Sequence, residues 1–159
     1  MEHREALHIE GGYVIELLTP DGRLIERQHV RNQLTAINRD VRAQMLLGQY
    51  HHDRDALRIR YIAFGTGSTA ATVNDTKLET EVFRKQATQL ALISPGVVRT
   101  VVSLGEYEAN VRIREIGVFG GPSAYRRADS GTLLSRAVVD IDKNSNIIVN
   151  IIRTDICTI

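Results

Sequence analysis

Apolar positions in this chain recur with two different periods, and polar or glycine-rich breaks separate the segments that carry them. Residues 12–18 (GYVIELL) are rich in β-forming side chains, and Leu24 and Ile25 follow after Thr19-Pro20-Asp21-Gly22. Proline presets one backbone angle of a turn and glycine accepts a positive one, so residues 12–25 predict a β-hairpin. The period changes over Asn32–Leu47. Leu34, Ile37, Val41, Met45 and Leu47 fall at roughly helical spacing, and Asn38, Arg39, Arg42 and Gln44 take the outer face. Asn32 is placed to cap this helix and Gly48 to end it. It is the one long helix expected.

Beyond it the pattern turns to β-structure. Arg58–Phe64 (RIRYIAF) alternates and then becomes wholly apolar, as a strand entering a core would. Gly65–Asn74 (GTGSTAATVN) is small and reads as a flexible loop. Thr76-Lys77-Leu78-Glu79 has the T-x-x-E form of a capping box and predicts a short helical turn. Strands are expected at Val82–Ile93, Val97–Leu104, Val111–Phe119, Leu133–Val139 and Ile147–Ile156, with turn-forming breaks at Ser94-Pro95-Gly96, Gly120–Ser123 and Lys143–Asn146. The whole predicts a single α+β domain over residues 1–159, mainly antiparallel β and sandwich-like, with one long helix and a short helical turn. Met1–Ile9 carries mixed charge without a period and reads as a mobile arm; the 12–25 hairpin reads as an addition to the domain.

Composition narrows the function classes. Of 159 residues, 43% are hydrophobic and 25% charged, which suits a globular chain with a real core. A net charge of +1 and the absence of Trp give no bulk electrostatic or stacking reason to bind nucleic acid, and the charge gives none to bind an anionic membrane. No apolar run of about 18 residues is present to span a bilayer. The first residues, MEHREALHIEGG, lack the apolar segment of a signal peptide, so folding in a cytoplasm is expected. Cys157 is the single cysteine, unable to form an internal disulfide, and reads as a small hydrophobe in the last strand.

Candidate chemistry is sparse. Gly65-Thr66-Gly67-Ser68 follows a strand, but the Lys-Ser/Thr pair of a phosphate-binding loop and the third glycine of a dinucleotide-binding turn are both missing. A small nucleotide-using enzyme is therefore a distant alternative. His51-His52-Asp53-Arg54-Asp55 holds metal-ligand residue types, but adjacent histidines in an extended segment point to opposite sides and no second cluster supplies further ligands. No G-x-S-x-G elbow occurs, and the carboxylates are spread out. The expectation is no catalytic residue, no metal and no cofactor. Val111–Phe119 (VRIREIGVF) is more informative: in a strand, Glu115 shares a face with Val111, Ile113, Gly117 and Phe119. A carboxylate there either finds a buried partner or is turned to solvent by a β-bulge, which Gly117 makes feasible.

Four strings in order, YIAFGTGS (residues 61–68), DTKLETEVFRK (75–85), IREIGVFGG (113–121) and GTLLSR (131–136), resemble the amino-terminal attachment domain of phage tail-collar and tail-fibre proteins. The resemblance covers roughly residues 30–156. It implies a structural protein of a tailed-phage virion, assembled in the host cytoplasm, that anchors or adapts a fibre at the tail or baseplate. Decoration of the neck, collar or capsid surface is the alternative. Implied partners are other virion proteins and further copies of the chain, a trimer first. The chain departs from the family pattern in ending just past the domain and in carrying the extra 12–25 hairpin.

Two expectations about particular residues follow. Arg84 and Glu115 lie in the most family-like strings, on strands that otherwise supply apolar side chains, and are expected to pair inside the domain. The rival is that Glu115 accepts backbone N–H groups near the Gly120-Gly121 turn, leaving Arg84 free. Met1–Ile9 and the polar excursion through Tyr125, Arg126, Arg127 and Asp129 are expected to be contact elements.

Overall fold

A computed structural model describes residues 8–48 and 55–158. Its elements run β1 (His8–Leu18), β2 (Leu24–Arg31), β3 (Gln33–Leu34), α1 (Ala36–Leu46), β4 (Ile59–Gly65), β5 (Glu81–Gln86), β6 (Gln89–Ser94), β7 (Val97–Leu104), β8 (Arg112–Gly120), β9 (Thr132–Asp142) and β10 (Ile148–Thr158). They form two five-stranded sheets, ordered β2-β1-β10-β7-β6 and β3-β9-β8-β4-β5. Every pairing is antiparallel. Mostly antiparallel strands with one helix among the described residues fit the expected α+β class. The two sheets share a core because alternate side chains of each turn toward the other. Tyr13, Ile15, Leu17, Val102, Leu104, Val149 and Ile151 of the first meet Ile62, Phe64, Ile113, Ile116, Val118, Val139 and Ile141 of the second.

The expected hairpin is present but longer. Thr19 N–H donates to Arg23 O at 2.9 Å, Gly22 N–H donates to Thr19 O at 2.8 Å, and Gly22 supplies the positive φ of +90°. In the sheet β1 lies between β2 and β10 and contributes core residues. Residues 1–7 of the expected arm lie outside the described residues, and Ile9 belongs to β1. The last strand is interior: β10 pairs with β1 on one side and β7 on the other. The free edges of its sheet are β2 and β6.

Three further expectations are corrected. The segment Val82–Ile93 is two strands in different sheets. Ala87 N–H still donates to Arg60 O of one sheet, while Thr88 N–H donates to Val101 O of the other, so the chain crosses between layers there. The helix is short, 11 residues, and its cap is Thr35 rather than Asn32. The Thr35 hydroxyl accepts from Asn38 N–H and donates to Leu133 O at 2.7 Å. Asn38, assigned to the outer face by its polarity, is buried and donates to Leu134 O at 2.9 Å, whereas Ile37, Met45 and Leu47 are exposed. A backbone carbonyl of β9 is the ligand that holds the helix, and a hydrophobic period does not report such a contact. Gly48 ends the helix as expected, at φ +69°. Residues 76–79 form no helical turn, because Glu79 is used elsewhere, as described next.

Candidate interaction surface

The outer face of the second sheet carries its own small core of Ala63, Leu78, Phe119 and Leu133, flanked by Tyr61. A β-bulge between Ile113 and Glu115 creates it. Ile113 faces the main core with Ile116 and Val118, and Glu115, Gly117 and Phe119 fall on the opposite side. The sequence made a bulge feasible at Gly117; this one precedes Glu115, and Glu115 does not reach solvent: it is 0% exposed. Residues 66–80, between β4 and β5, form a strap over it. Leu78 of the strap sits over Gly117, where a Cβ would lie 2.7 Å from Leu78 Cδ2.

Four donors converge on the Glu115 carboxylate. Oε1 accepts from Gly67 N–H at 3.1 Å and Thr80 N–H at 2.7 Å; Oε2 accepts from Glu79 N–H and Arg136 Nε–H, both at 2.9 Å. Arg136, itself buried, continues outward. Nη1 donates to Asp75 Oδ2 at 3.0 Å and Nη2 to Thr69 O at 2.9 Å, so one guanidinium ties two points of the strap to the sheet. Glu79 accepts from Thr69 N–H at 2.9 Å instead of closing a capping box. Burial opposes ionisation of Asp75, but hydrogen bonds from Thr72 and Arg136 outweigh it and hold its pKa below the ordinary value. The Thr69 bonds and the nearby Arg136 likewise depress Glu79. Gly65 and Gly67 have a reason other than flexibility: a Cβ at either would collide with Glu115 Oε1, and at Gly65 also with Thr80 O. The GTGS segment supplies one of the four donors to this carboxylate, the Gly67 N–H.

Arg84 and Glu115 do not pair. A bulge at Val82 puts Glu81 and Arg84 on one side of β5. Arg84 Nε and Nη2 meet the Glu81 carboxylate at 2.5 and 2.9 Å, with both side chains at most 3% exposed. The guanidinium lies 4.5 Å from the Phe119 ring centroid and 5.6 Å from that of Tyr61. Its remaining nitrogen, Nη1, donates to Tyr125 O and Ser130 O, both at 2.9 Å. Glu81 Oε2 accepts from Asp129 N–H at 2.9 Å. Arg84 is therefore the post on which residues 121–131 hang, with the expected contact loop, Ala124–Ser130, among them. Positive φ at Gly121, Asp129 and Gly131 bends the loop, and Ala124 is buried beneath it. Within it Ser130 Oγ accepts from Tyr125 N–H at 3.0 Å and lies 2.6 Å from Arg127 O. The loop presents Tyr125, 63% exposed, and Arg126 and Arg127, neither of which has a side-chain partner among the described residues.

Sequence reasoning missed Arg136 and Glu81 as partners; the signal available was that both are charges in strings otherwise rich in strand formers. It also missed Arg153, a buried cation that bridges the sheets. Arg153 meets Asp155 at 2.5 and 2.8 Å and the Ser135 hydroxyl across the core, and its pKa is raised: burial works against the charge, but Tyr13 and Asp155 prevail. Residues 51–54 of the histidine-rich segment lie outside the described residues. Among the described residues no cluster of three or more His, Cys, Asp or Glu is arranged to hold a metal ion, and no helix is long and apolar enough to cross a membrane. Compared with protein-family models, curated proteins and solved structures, the chain matches none.

Proposed function

We propose that this chain is a structural protein of a tailed-phage virion, a sandwich-like attachment domain that anchors or adapts a fibre at the tail or baseplate. One observation supports the reading most. The four strings that carry the resemblance are far apart in the chain, yet they supply β4, the strap and β5, β8 and β9. Six of their charged residues, Asp75, Glu79, Glu81, Arg84, Glu115 and Arg136, fall into two clusters on one face. Those groups are occupied by one another and by backbone N–H and C=O groups. That is the arrangement of a framework that fixes loops, and fixed loops on a β-scaffold serve docking. The partners are other virion proteins and further copies of the chain. The exposed, uncharged edge strand β6, with Leu90, Leu92 and Ile93 outward, favours self-association, a trimer first. Mass spectrometry of purified particles and immunogold labelling test the reading. The protein should be present in stoichiometric amount at the fibre attachment point, and deletion of its gene should yield particles without fibres. Absence of the protein from particles refutes it. Light scattering of the purified protein should give three times the chain mass.

A further inference from the structure

We propose that residues 121–131 bind an acidic segment of a partner protein, with Arg126 and Arg127 receiving its carboxylates and Tyr125 packing beside them. The inference rests on the attachment reading and names the chemistry of the partner at that site. Charge complementarity carries it. Several surface cations on the sheets answer a carboxylate of this chain, Arg27 with Glu16, Arg112 with Asp140 and Lys85 with Glu108, and the exposed Arg31 and Arg99, which have no such partner among the described residues, stand singly. Arg126 and Arg127 stand adjacent, exposed and unanswered among the described residues, on a loop whose backbone is tied at Tyr125, Asp129 and Ser130. A guanidinium receives a carboxylate through two parallel N–H bonds, and tyrosine and arginine are the side chains most often dominant in protein interfaces. Because the loop is already ordered, binding does not have to order it. Arg126 also forms one wall of a groove of about 610 Å³ that runs along β5 past Tyr61, Phe83, Lys85 and Thr88. The groove gives the apolar flanks of an extended segment a floor next to Arg126.

Nucleic acid fits less well. Two cations are few for a phosphate backbone, the groove wall contains Glu108, Asp129 lies in the same loop, and the whole chain carries a net charge of only +1.

Photocrosslinking in the cells that produce the protein tests the inference. p-Benzoylphenylalanine replaces Tyr125, and the cross-linked peptide is sequenced. The expected target is a protein segment carrying at least two carboxylates near the cross-link. The double change Arg126→Glu and Arg127→Glu should reduce cross-link yield at least tenfold, while Arg126→Lys with Arg127→Lys retains most of it. Exchanging the target's acidic residues for lysine should restore the yield to the Glu variant. Both arginines are exposed and unpartnered among the described residues, so an unchanged thermal midpoint verifies that the variants fold. A cross-link to nucleic acid, to a second copy, or to a segment without carboxylates overturns the inference, as does no cross-link or an undiminished yield after charge reversal. A cross-link to an acidic segment with the protein missing from purified particles refutes the attachment reading and leaves the docking chemistry standing.

Discussion

Glu115→Gln is the sharpest perturbation the fold offers, because it keeps the shape and removes only charge and one acceptor. The carboxylate receives Gly67 and Thr80 N–H on one oxygen and Glu79 N–H and Arg136 Nε–H on the other. Whichever way the amide turns, its NH₂ group faces two donors in a site without solvent. Each buried donor left unsatisfied costs about 1–3 kcal/mol. Breaking a buried ion pair from one side costs roughly 3–5 kcal/mol in total. For a chain of this size about 1 kcal/mol moves the thermal midpoint by roughly 2–4 °C, so a drop of about 6–20 °C is expected. Urea titration at pH 7 should show the loss as a lower midpoint with an unchanged slope. The strap should also open more often, freeing the backbone at Lys77, already at the surface, for faster cleavage by trypsin in native buffer. A double-mutant cycle with Arg136→Ala should show coupling, on the order of 0.5–3 kcal/mol. Replacing both members by leucine, often neutral for an isolated buried pair, should fail to restore stability here, since three backbone N–H groups then lack acceptors. A loss under about 1 kcal/mol for Glu115→Gln, the range of a surface pair, would refute this account of the strap.

Arg84→Ala should leave both sheets folded while releasing the loop it suspends. Limited trypsin digestion of the variant should cut after Arg126 or Arg127 many times faster than in the parent, and equal rates would mean the loop is held some other way. Gly65→Ala and Gly67→Ala should each destabilise by about 1–3 kcal/mol through overpacking against Glu115 and the strap, measured by urea titration. Neither glycine is among those with positive φ, so a neutral result would show that the carboxylate gives way. Stability should be flat from neutral pH down to about 5 and fall below about 4. Asp75 and Glu79 have folded pKa values below their ordinary ones, so their contribution is complete above the unfolded values of about 3.9–4.3 and is lost as pH falls through the lower folded values. Asp75→Asn should flatten that acid limb in urea midpoints measured from pH 3 to 7.

Features with a local physical cause were legible in the sequence. The hairpin at Pro20–Gly22, the helix stop at Gly48 and the strand entering at Tyr61 each depend on residues adjacent in the chain. What depends on covering layers was not. Nothing local marks Ala87 and Thr88 as the point where one apolar run changes sheets, because both halves are good strand formers. Asn38 looks like a surface residue until a β9 carbonyl is brought to it. The alternation around Glu115 placed it opposite Ile116 and Val118, but not under a strap contributed from 35 or more residues earlier in the chain. Arg84 was expected to be buried and paired, as it is, but the bulge at Val82 brings Glu81 to it first.

The composition of the strap explains why charge rather than apolar burial holds it. Gly65–Asn74 consists mostly of small side chains, and Leu78 is the strap residue in the outer core. Full burial of one leucine contributes about 1.5–3 kcal/mol, whereas ordering the backbone costs about 1–2 kcal/mol for every residue fixed. Apolar contact through Leu78 alone therefore leaves the strap open. Directional bonds to Glu115 and Arg136 supply what the small side chains lack, at several points along the segment. The same reasoning applies to residues 121–131, where Ala124 is the apolar residue buried and Arg84 with Glu81 grips the backbone instead. A loop gripped by its backbone leaves its own side chains free, which is the condition under which Tyr125, Arg126 and Arg127 can all face outward from a fixed base.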